Sequence, residues 1–284
     1  MSGPETFSHA RSLWLDWQNA ALYQSYVDQY PIYRWLNRRL TTGAGVGQAR
    51  HILDLACGTG ATASACAPLM DKHSELTGVD FAAPMVEIAR AEIADPRCRF
   101  HVVDARRLSR HLPEKSFDLV LCNAAFWQLP DSRQVLREIA TVLRPGGMLA
   151  LNIPSQQLSP QRISAHPFQV ALSRHLHGWQ DLGSSTFLSL DTLLGVVAEN
   201  GFRLERHQEL TYSGTQRELV DLMRIPAMAA STAPHLSPSL CYEAVTSAAR
   251  HIELNQAIQV PWTFFYFKRE AGESSPLHAM EDVA

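Results

Sequence analysis

Three aspartates stand within or just after predicted strands, where carboxylates could hold a ligand. Asp54 lies inside the apolar stretch 51–56, Asp80 ends the stretch 75–80, and Asp104 follows the stretch 99–103. An acid inside an otherwise apolar strand favours a ligand with a cationic or ammonium group. Asp80 follows Gly60 by 80 − 60 = 20 residues, a distance at which a carboxylate commonly accepts hydrogen bonds from ribose hydroxyls. The acids therefore favour a ligand with a cationic or ammonium group and are consistent with hydrogen bonds to ribose hydroxyls.

A glycine turn connects the first predicted strand to a helix, in the segment ILDLACGTGATA at 52–63. Gly58 and Gly60 allow positive φ and let a ligand lie against the main chain, and the following helix offers free N–H groups to an anionic end. The spacing Gly58-x-Gly60-x-x-Ala63 also fits a dinucleotide-binding turn. Strand-to-helix packing alone could require the same glycines, so the turn by itself does not decide the ligand.

Short apolar stretches alternate with segments of helical period from His51 to Pro154, the pattern of β-α-β units around a parallel sheet. Strands are predicted near 51–56, 75–80, 99–103, 117–123 and 147–153, with helices near 61–70, 84–94 and 131–143. Asp191 is expected to cap a later helix that ends at Asn200-Gly201. Two more strands are predicted near 202–211 and 260–267.

The segments outside these strands differ in character. Residues 6–40 contain eight of the 24 aromatic residues, with Tyr26, Tyr30 and Tyr33 at helical spacing and Pro31 as a break. Residues 214–258 are predicted to be helical and interrupted by prolines. The chain is therefore divided into a helical lid (1–42), a core (43–213 and 259–269), a helical insert or cap (214–258) and a flexible tail (270–284).

Composition restricts the class of protein and of partner. The 284 residues are 46% hydrophobic and 19% charged, with a net charge of −3, so the chain has material for a buried core and no basic excess for nucleic acid. Five cysteines without a C-x-x-C pair suit a reducing compartment. Neither a leader pattern nor an apolar stretch of about 18 residues is visible. We expect a soluble cytoplasmic protein without nucleic-acid or membrane partners, and leave its oligomeric state open.

The ordered motifs resemble those of the class I S-adenosylmethionine-dependent methyltransferases, most closely the small-molecule branch with the ubiquinone/menaquinone and trans-aconitate methyltransferases. The resemblance covers roughly residues 50–154 through DLACGTG at 54–60, GVD at 78–80, VVDA at 102–105 and RPGG at 144–147. It implies a Rossmann-like α/β fold, with a mostly parallel seven-stranded sheet and helices on both faces. It also implies S-adenosylmethionine as the cofactor and a small-molecule methyl acceptor.

The resemblance further implies roles for single residues. Asp54 would face the methionine ammonium group and Asp80 the ribose. Phe81 and Met85 would flank the adenine, and Asp104 would hydrogen-bond its edge. Other cofactor contacts are expected from Tyr26, Ala56, Cys57, Gly58, Gly60, Ala105 and Asn123.

The sequence says less about the residues that bind the methyl acceptor. Residues expected to line it are Trp17, Tyr23, Tyr33, Trp127 and Gln128. The low charge of residues 225–242 favours an apolar or aromatic acceptor, of the kind found in secondary metabolism. No catalytic residue is assigned, although His166 and Tyr30 are candidates for a base. No metal site is predicted, because His175-x-His177 lacks further ligands at a useful spacing.

Two other functional classes remain open at this point. One is a member of the same fold that binds the cofactor without methylating, such as a cyclase or a regulatory protein. The other is a nicotinamide-dependent oxidoreductase, which Asp54 and Asp104 disfavour.

Overall fold

The computed structural model describes residues 11–158, 166–175, 189–232 and 236–270. Its centre is a seven-stranded sheet in the order β3-β2-β1-β4-β5-β7-β6. The strands are β1 (His51–Leu55), β2 (Glu75–Asp80), β3 (Cys98–Val102), β4 (Phe117–Cys122), β5 (Leu143–Pro154), β6 (Phe202–Thr215) and β7 (Ala257–Arg269). The first five are parallel, and β7 runs antiparallel to β5 and β6. The predicted mostly parallel α/β fold is confirmed.

The α-helices of the described residues lie before the first strand and between the later strands in sequence. They are α1 (Trp17–Gln29), α2 (Ile32–Gly43), α3 (Ala61–Cys66), α4 (Ala83–Glu92), α5 (Ser132–Val142), α6 (Pro167–His175), α7 (Leu190–Glu199), α8 (Gln216–Met223), α9 (Pro226–Thr232) and α10 (Pro238–Ala249). Pro31 separates α1 from α2, and Pro226 and Pro238 begin α9 and α10, because proline is tolerated in a first helical turn and not in an interior one.

Helices cover both faces of the sheet, as predicted. Leu36 and Leu40 of α2 belong to the buried cluster on one face. Leu136 and Ile139 of α5 pack with Leu193 of α7 on the other face. A buried Leu or Ile side chain contributes about 1.5–3 kcal/mol, so these helical stripes fix both layers against the strands.

The helices of the segment after β6 form a smaller core of their own together with α6. Phe168 of α6, Val220 of α8 and Cys241 and Val245 of α10 are all buried there. This helical layer begins at the carboxyl end of β6, because α8 follows that strand directly.

Two local expectations need correction. Ser189, not Asp191, caps α7: the Ser189 hydroxyl accepts the Thr192 N–H at 3.1 Å, while Asp191 lies in the first turn, where its charge suits the helix dipole. Strands β6 and β7 are also longer than predicted, because they pair from Phe202–Arg269 to Thr215–Ala257.

Proline is tolerated within β7 for a positional reason. Pro261 pairs with β6, but pairing between β7 and β5 begins only at Trp262. At Pro261 the strand therefore has one neighbour, and a missing N–H interrupts fewer hydrogen bonds.

Parts of the predicted lid and tail, residues 1–10 and 271–284, lie outside the described residues. Within the described ranges, no helix combines the length and apolar character needed to cross a bilayer.

Candidate active site

The glycine turn lies between the carboxyl end of β1 and the start of α3. Gly58 and Gly60 adopt φ of 52° and 91°, and a Cβ on Gly60 would lie 2.9 Å from Ile93 Cγ1. Any larger residue at position 60 would require Ile93, which directly follows α4, to move. Cys57 is held by its N–H, which donates to the Val79 carbonyl at 3.0 Å. Burial raises the pKa of the Cys57 thiol well above its ordinary value, so the thiol is protonated and unsuited to nucleophilic attack.

Asp54 is a fully buried carboxylate beside this turn. Neither of its oxygens has a hydrogen-bond partner among the described residues. Burial raises the pKa of Asp54 well above its ordinary value and the negative charge of Asp80 adds to the shift, while the nearby Ala63 N–H opposes it without reaching good hydrogen-bond geometry. An isolated buried acid is costly, so the position calls for a positively charged group.

Asp80 lies at the end of the neighbouring strand and is held by the backbone. Its Oδ2 accepts the Gly58 N–H at 3.0 Å, and its Oδ1 accepts the Ala82 N–H at 3.0 Å. Burial raises the pKa of Asp80, and these N–H groups oppose the shift. The carboxylate is thus fixed at the turn with lone pairs left for further donors.

The next residues toward β3 form a mixed apolar and charged surface. Met85 is buried among Ala20, Trp14 and Tyr23 of the N-terminal segment, with Phe81 beside it. Asp104 precedes the buried Ala105 and accepts the Arg106 N–H at 3.0 Å.

Arg11 reaches this surface from the N-terminal segment. Its guanidinium carbon lies 4.2 Å from the centre of the Phe81 ring, and its Nη2 lies 3.0 Å from Asp104 Oδ2. Although burial acts to raise it, the pKa of Asp104 is held well below its ordinary value by hydrogen bonds from Arg106 and Arg11. Arg11 was not among the predicted site residues.

Tyrosine rings of the N-terminal helices form a continuous wall that starts at the glycine turn. A Cβ on Gly58 would lie 3.6 Å from Tyr23 Cε1. The Tyr23 and Tyr33 ring centres are 5.4 Å apart, those of Tyr33 and Tyr26 are 6.1 Å apart, and those of Tyr26 and Tyr30 are 4.8 Å apart. We call these four residues the tyrosine wall.

Trp17 lies apart from that wall. It is the first residue of α1 and is 57% exposed. The structure therefore does not bring Trp17 together with the tyrosines that were predicted to line the acceptor site.

Two tyrosine–acid pairs involve residues of α8. Tyr30 Oη donates to Asp221 Oδ2 at 2.5 Å, and Tyr212 Oη donates to Glu218 Oε2 at 2.6 Å. Burial and the hydrogen bond to Asp221 raise the pKa of Tyr30 to about 12. Tyr30 is therefore protonated at neutral pH and acts as a donor, which argues against its candidacy as a base.

His166 lies at the start of α6, next to Phe168 of the insert's core. Its Nε2 is buried without a hydrogen-bond partner among the described residues, and burial lowers the pKa of the ring. A hydrogen bond with the Gln259 backbone of β7 opposes this shift. The neutral imidazole could accept a proton, but this contact lies on β7 and not at the glycine turn.

The segment after β4 is fixed by a buried amide pair. Ala124 adopts φ of 52°, and its N–H donates to Asn152 Oδ1 at 2.6 Å. Asn152 Nδ2 in turn donates to Asn123 Oδ1 at 2.6 Å. Beyond this pair, the Trp127 ring packs 5.7 Å from that of Trp262, and Gln128 Nε2 donates to the Ala124 carbonyl at 3.4 Å.

Replacing Asn152 with alanine should lower the free energy of unfolding by about 2–4 kcal/mol, because the Ala124 N–H and the Asn123 amide lose buried partners. Urea unfolding followed by circular dichroism would measure this difference. Asn255, which is exposed, provides the matched asparagine-to-alanine control. Equal stability of the Asn152 variant and the wild type would contradict the role of this pair.

Several of these groups were not predicted from the sequence: Arg11, Asn152, Tyr212, Glu218 and Asp221. A signal did exist for two of them. Asn152 is a polar residue inside the apolar stretch 147–153, and Thr215 with Glu218 forms a capping box at the start of α8, a pattern visible as T-x-x-E.

Comparison with known proteins agrees with this geometry. Residues 52–147 match a family described as a methyltransferase domain, and this range runs from β1 through the glycine turn to β5. This part of the chain is a methyltransferase domain. The resemblance stated from the motifs is thereby confirmed.

Two curated relatives show how much of this chain is matched. It is 38% identical over 112 residues to a demethylmenaquinone methyltransferase of Lactiplantibacillus plantarum, over 39% of this chain and 47% of the relative. It is 34% identical over 148 residues to a trans-aconitate 2-methyltransferase of Methylobacterium radiotolerans, over 51% of this chain and 52% of the relative. The matches thus span about half the length of these relatives.

A solved structure extends the likeness to the whole fold. The [4+2]-cyclase SpnF matches this chain with a TM-score of 0.55 at 19% identity, over 84% of this chain and 81% of the cyclase. At this identity the match bears on the fold alone.

Proposed function

We propose that this methyltransferase moves the methyl group of S-adenosylmethionine to an O, N or C atom of a small, largely apolar or aromatic acceptor. The observation that carries the proposal is Asp54, a buried carboxylate beside a glycine turn that has no cationic group and no well-aligned hydrogen-bond donor among the described residues. A ligand with an ammonium group compensates that charge. Asp80, fixed by two backbone N–H groups, is placed to accept hydrogen bonds from ribose hydroxyls.

The remaining cofactor contacts follow from the same placement. Phe81 and Met85 supply apolar surface for the adenine, and Asp104 with Ala105 supplies its polar edge. Backbone at Ala56, Cys57 and the two glycines lies along the methionine part, and Tyr26 and Asn123 border the methyl group. These assignments are supported by the motif order and by the convergence of the carboxyl ends of β1, β2 and β3.

We assign the acceptor pocket to the tyrosine wall and to the ring pair of Trp127 and Trp262. Trp127 and Trp262 pack against each other, and both belong to the same apolar cluster as Tyr26 and Tyr212. Aromatic rings give a flat acceptor large contact area at small entropic cost. Gln128, Tyr23 and Tyr33 would complete the walls.

The bound cofactor supplies an electrophilic methyl group on a positively charged sulfur. The chain's task is to hold the acceptor atom about 3–3.5 Å from the methyl carbon and in line with the sulfur. The tyrosine wall excludes water from that region.

Domain roles and location form part of the same proposal. Residues 1–42 act as a lid, the described helices within 214–258 complete the pocket, and residues 43–213 with 259–269 carry the cofactor. All five cysteines are free thiols, which supports a reducing compartment and so the cytoplasm.

Isothermal titration of the wild type with S-adenosylhomocysteine tests the proposal, and binding with one site per chain is the expected result. A fluorescence titration with NADH should show no binding. Methyl-labelled S-adenosylmethionine, incubated with the protein and an extract of the producing cells, should label a small molecule. Binding without label would instead favour a non-methylating protein such as a cyclase, and absence of binding would reject the proposal.

A further inference from the structure

Arg11 contacts two separate groups at the carboxyl ends of β2 and β3. Its guanidinium lies over the Phe81 ring at 4.2 Å and is ion-paired with Asp104 at 3.0 Å. Its charge also acts to lower the pKa of Asp80. One side chain of the N-terminal segment thus reaches Phe81 and Asp104 and acts on Asp80.

The same groups are those that a nucleoside would use at this edge of the sheet. If the ribose is held by Asp80, the base must extend toward β3, because β3 is the next strand and Val102 is paired with Asp80. The base would then meet the Phe81 ring with its face and Asp104 with its edge. Arg11 covers both.

Asp104 has little capacity left for another donor. Its Oδ1 accepts from the N–H and the Nε of Arg106 at 3.0 and 3.1 Å. Its Oδ2 accepts from Arg106 Nη2 at 2.7 Å and from Arg11 Nη2 at 3.0 Å. Four donors fill the lone-pair sites of a carboxylate, so an amino group of a base requires one donor to leave.

Arg11 is the donor that can leave without rearranging the turn. Arg106 is two residues from Asp104 and is bound by its backbone as well as its side chain. Arg11 is 93 residues away in sequence and makes this contact through one terminal nitrogen, with 26% of its side chain exposed.

We propose that Arg11 is an internal ligand of the base subsite: it occupies Phe81 and Asp104 in the free protein and yields them to adenine, so that it sets cofactor affinity. The inference rests on the proposed function. It predicts that Arg11 stabilises the cofactor-free protein and makes no contact with the bound cofactor.

The test compares S-adenosylhomocysteine binding to the wild type, Arg11→Ala and Arg11→Lys. Arg11→Ala should bind roughly three- to tenfold more tightly, because the ligand no longer has to displace one cation–π contact and one partly exposed ion pair. Arg11→Lys, which keeps the charge without the planar group, should be intermediate. Arg34→Ala, at an exposed lid position, removes the same charge and should leave the dissociation constant unchanged.

Stopped-flow tryptophan fluorescence separates competition from a structural role. Competition predicts faster association for Arg11→Ala with an unchanged dissociation rate, whereas a lid contact on bound cofactor would predict faster dissociation. Equal or weaker binding by Arg11→Ala, beside normal wild-type binding, overturns this inference alone. Absence of wild-type binding overturns the proposed function and this inference with it.

Discussion

Replacement of Asp80 by alanine is expected to weaken S-adenosylhomocysteine binding by roughly 100-fold or more, because two charge-assisted hydrogen bonds to ribose hydroxyls contribute about 1.5–3 kcal/mol each. Isothermal titration measures the change directly. The loss should appear in affinity while the protein remains folded, which a melting curve without ligand would verify.

Controls separate ligand binding from the shape of the turn. Asp80→Ala also removes the acceptor of the Gly58 and Ala82 N–H groups. Asp80→Asn keeps one side-chain acceptor oxygen, so it should retain more of the turn and still bind weakly. Asp71→Ala, at an exposed position, should change the dissociation constant by no more than about twofold. Normal binding by Asp80→Ala would refute the assignment of the ribose site.

Replacement of Asp54 by asparagine should have opposite effects on stability and on binding. Removing a buried charge without a partner should raise the free energy of unfolding of the ligand-free protein by about 1–3 kcal/mol at pH 8. The same change removes the counter-charge of the ligand's ammonium group. Binding of S-adenosylhomocysteine should therefore weaken roughly 10- to 100-fold.

The stability difference should depend on pH with a defined sign. Burial raises the folded-state pKa of Asp54 above an unfolded value near 3.9. The wild-type penalty is therefore absent below about pH 4, grows as pH rises toward the folded pKa, and is constant above it. Urea unfolding of both proteins at pH 5 and pH 8 should show the larger advantage of Asp54→Asn at pH 8.

Asp118 offers the contrasting case. Its Oδ2 accepts the N–H groups of Arg50 and His51, and its Oδ1 is paired with Arg144. Asp118→Asn should destabilise the protein, since a partnered carboxylate is lost. If Asp54→Asn also destabilised the ligand-free protein at pH 8, the interpretation of Asp54 as an uncompensated acid would fail.

The glycine turn and its acids could be predicted because the determining interactions are local. Gly60 needs a positive φ within one turn, and Asp54 and Asp80 stand at strand positions that apolar patterning already marks. Residue type and spacing carry that information without knowledge of the tertiary structure.

Other features depend on contacts between distant segments. Asn152 meets Asn123 only after β5 pairs with β4, and Arg11 meets Asp104 only when the N-terminal segment crosses the strand ends. Neither contact leaves a spacing pattern in the sequence.

The predicted cap of α7 was wrong for a different reason. Ser189 and Asp191 both have side chains that can cap a helix, and they stand two positions apart. Which of them caps depends on where the preceding chain enters the helix, and local sequence does not distinguish the two.

A crystal structure of the protein with S-adenosylhomocysteine tests the central claim most directly. The account predicts the ligand's ammonium group beside Asp54, its ribose hydroxyls on Asp80 and its main chain contacts along Gly58 and Gly60. A nucleoside bound away from β1 and β2, with Asp54 still lacking a partner at saturating ligand, would contradict it.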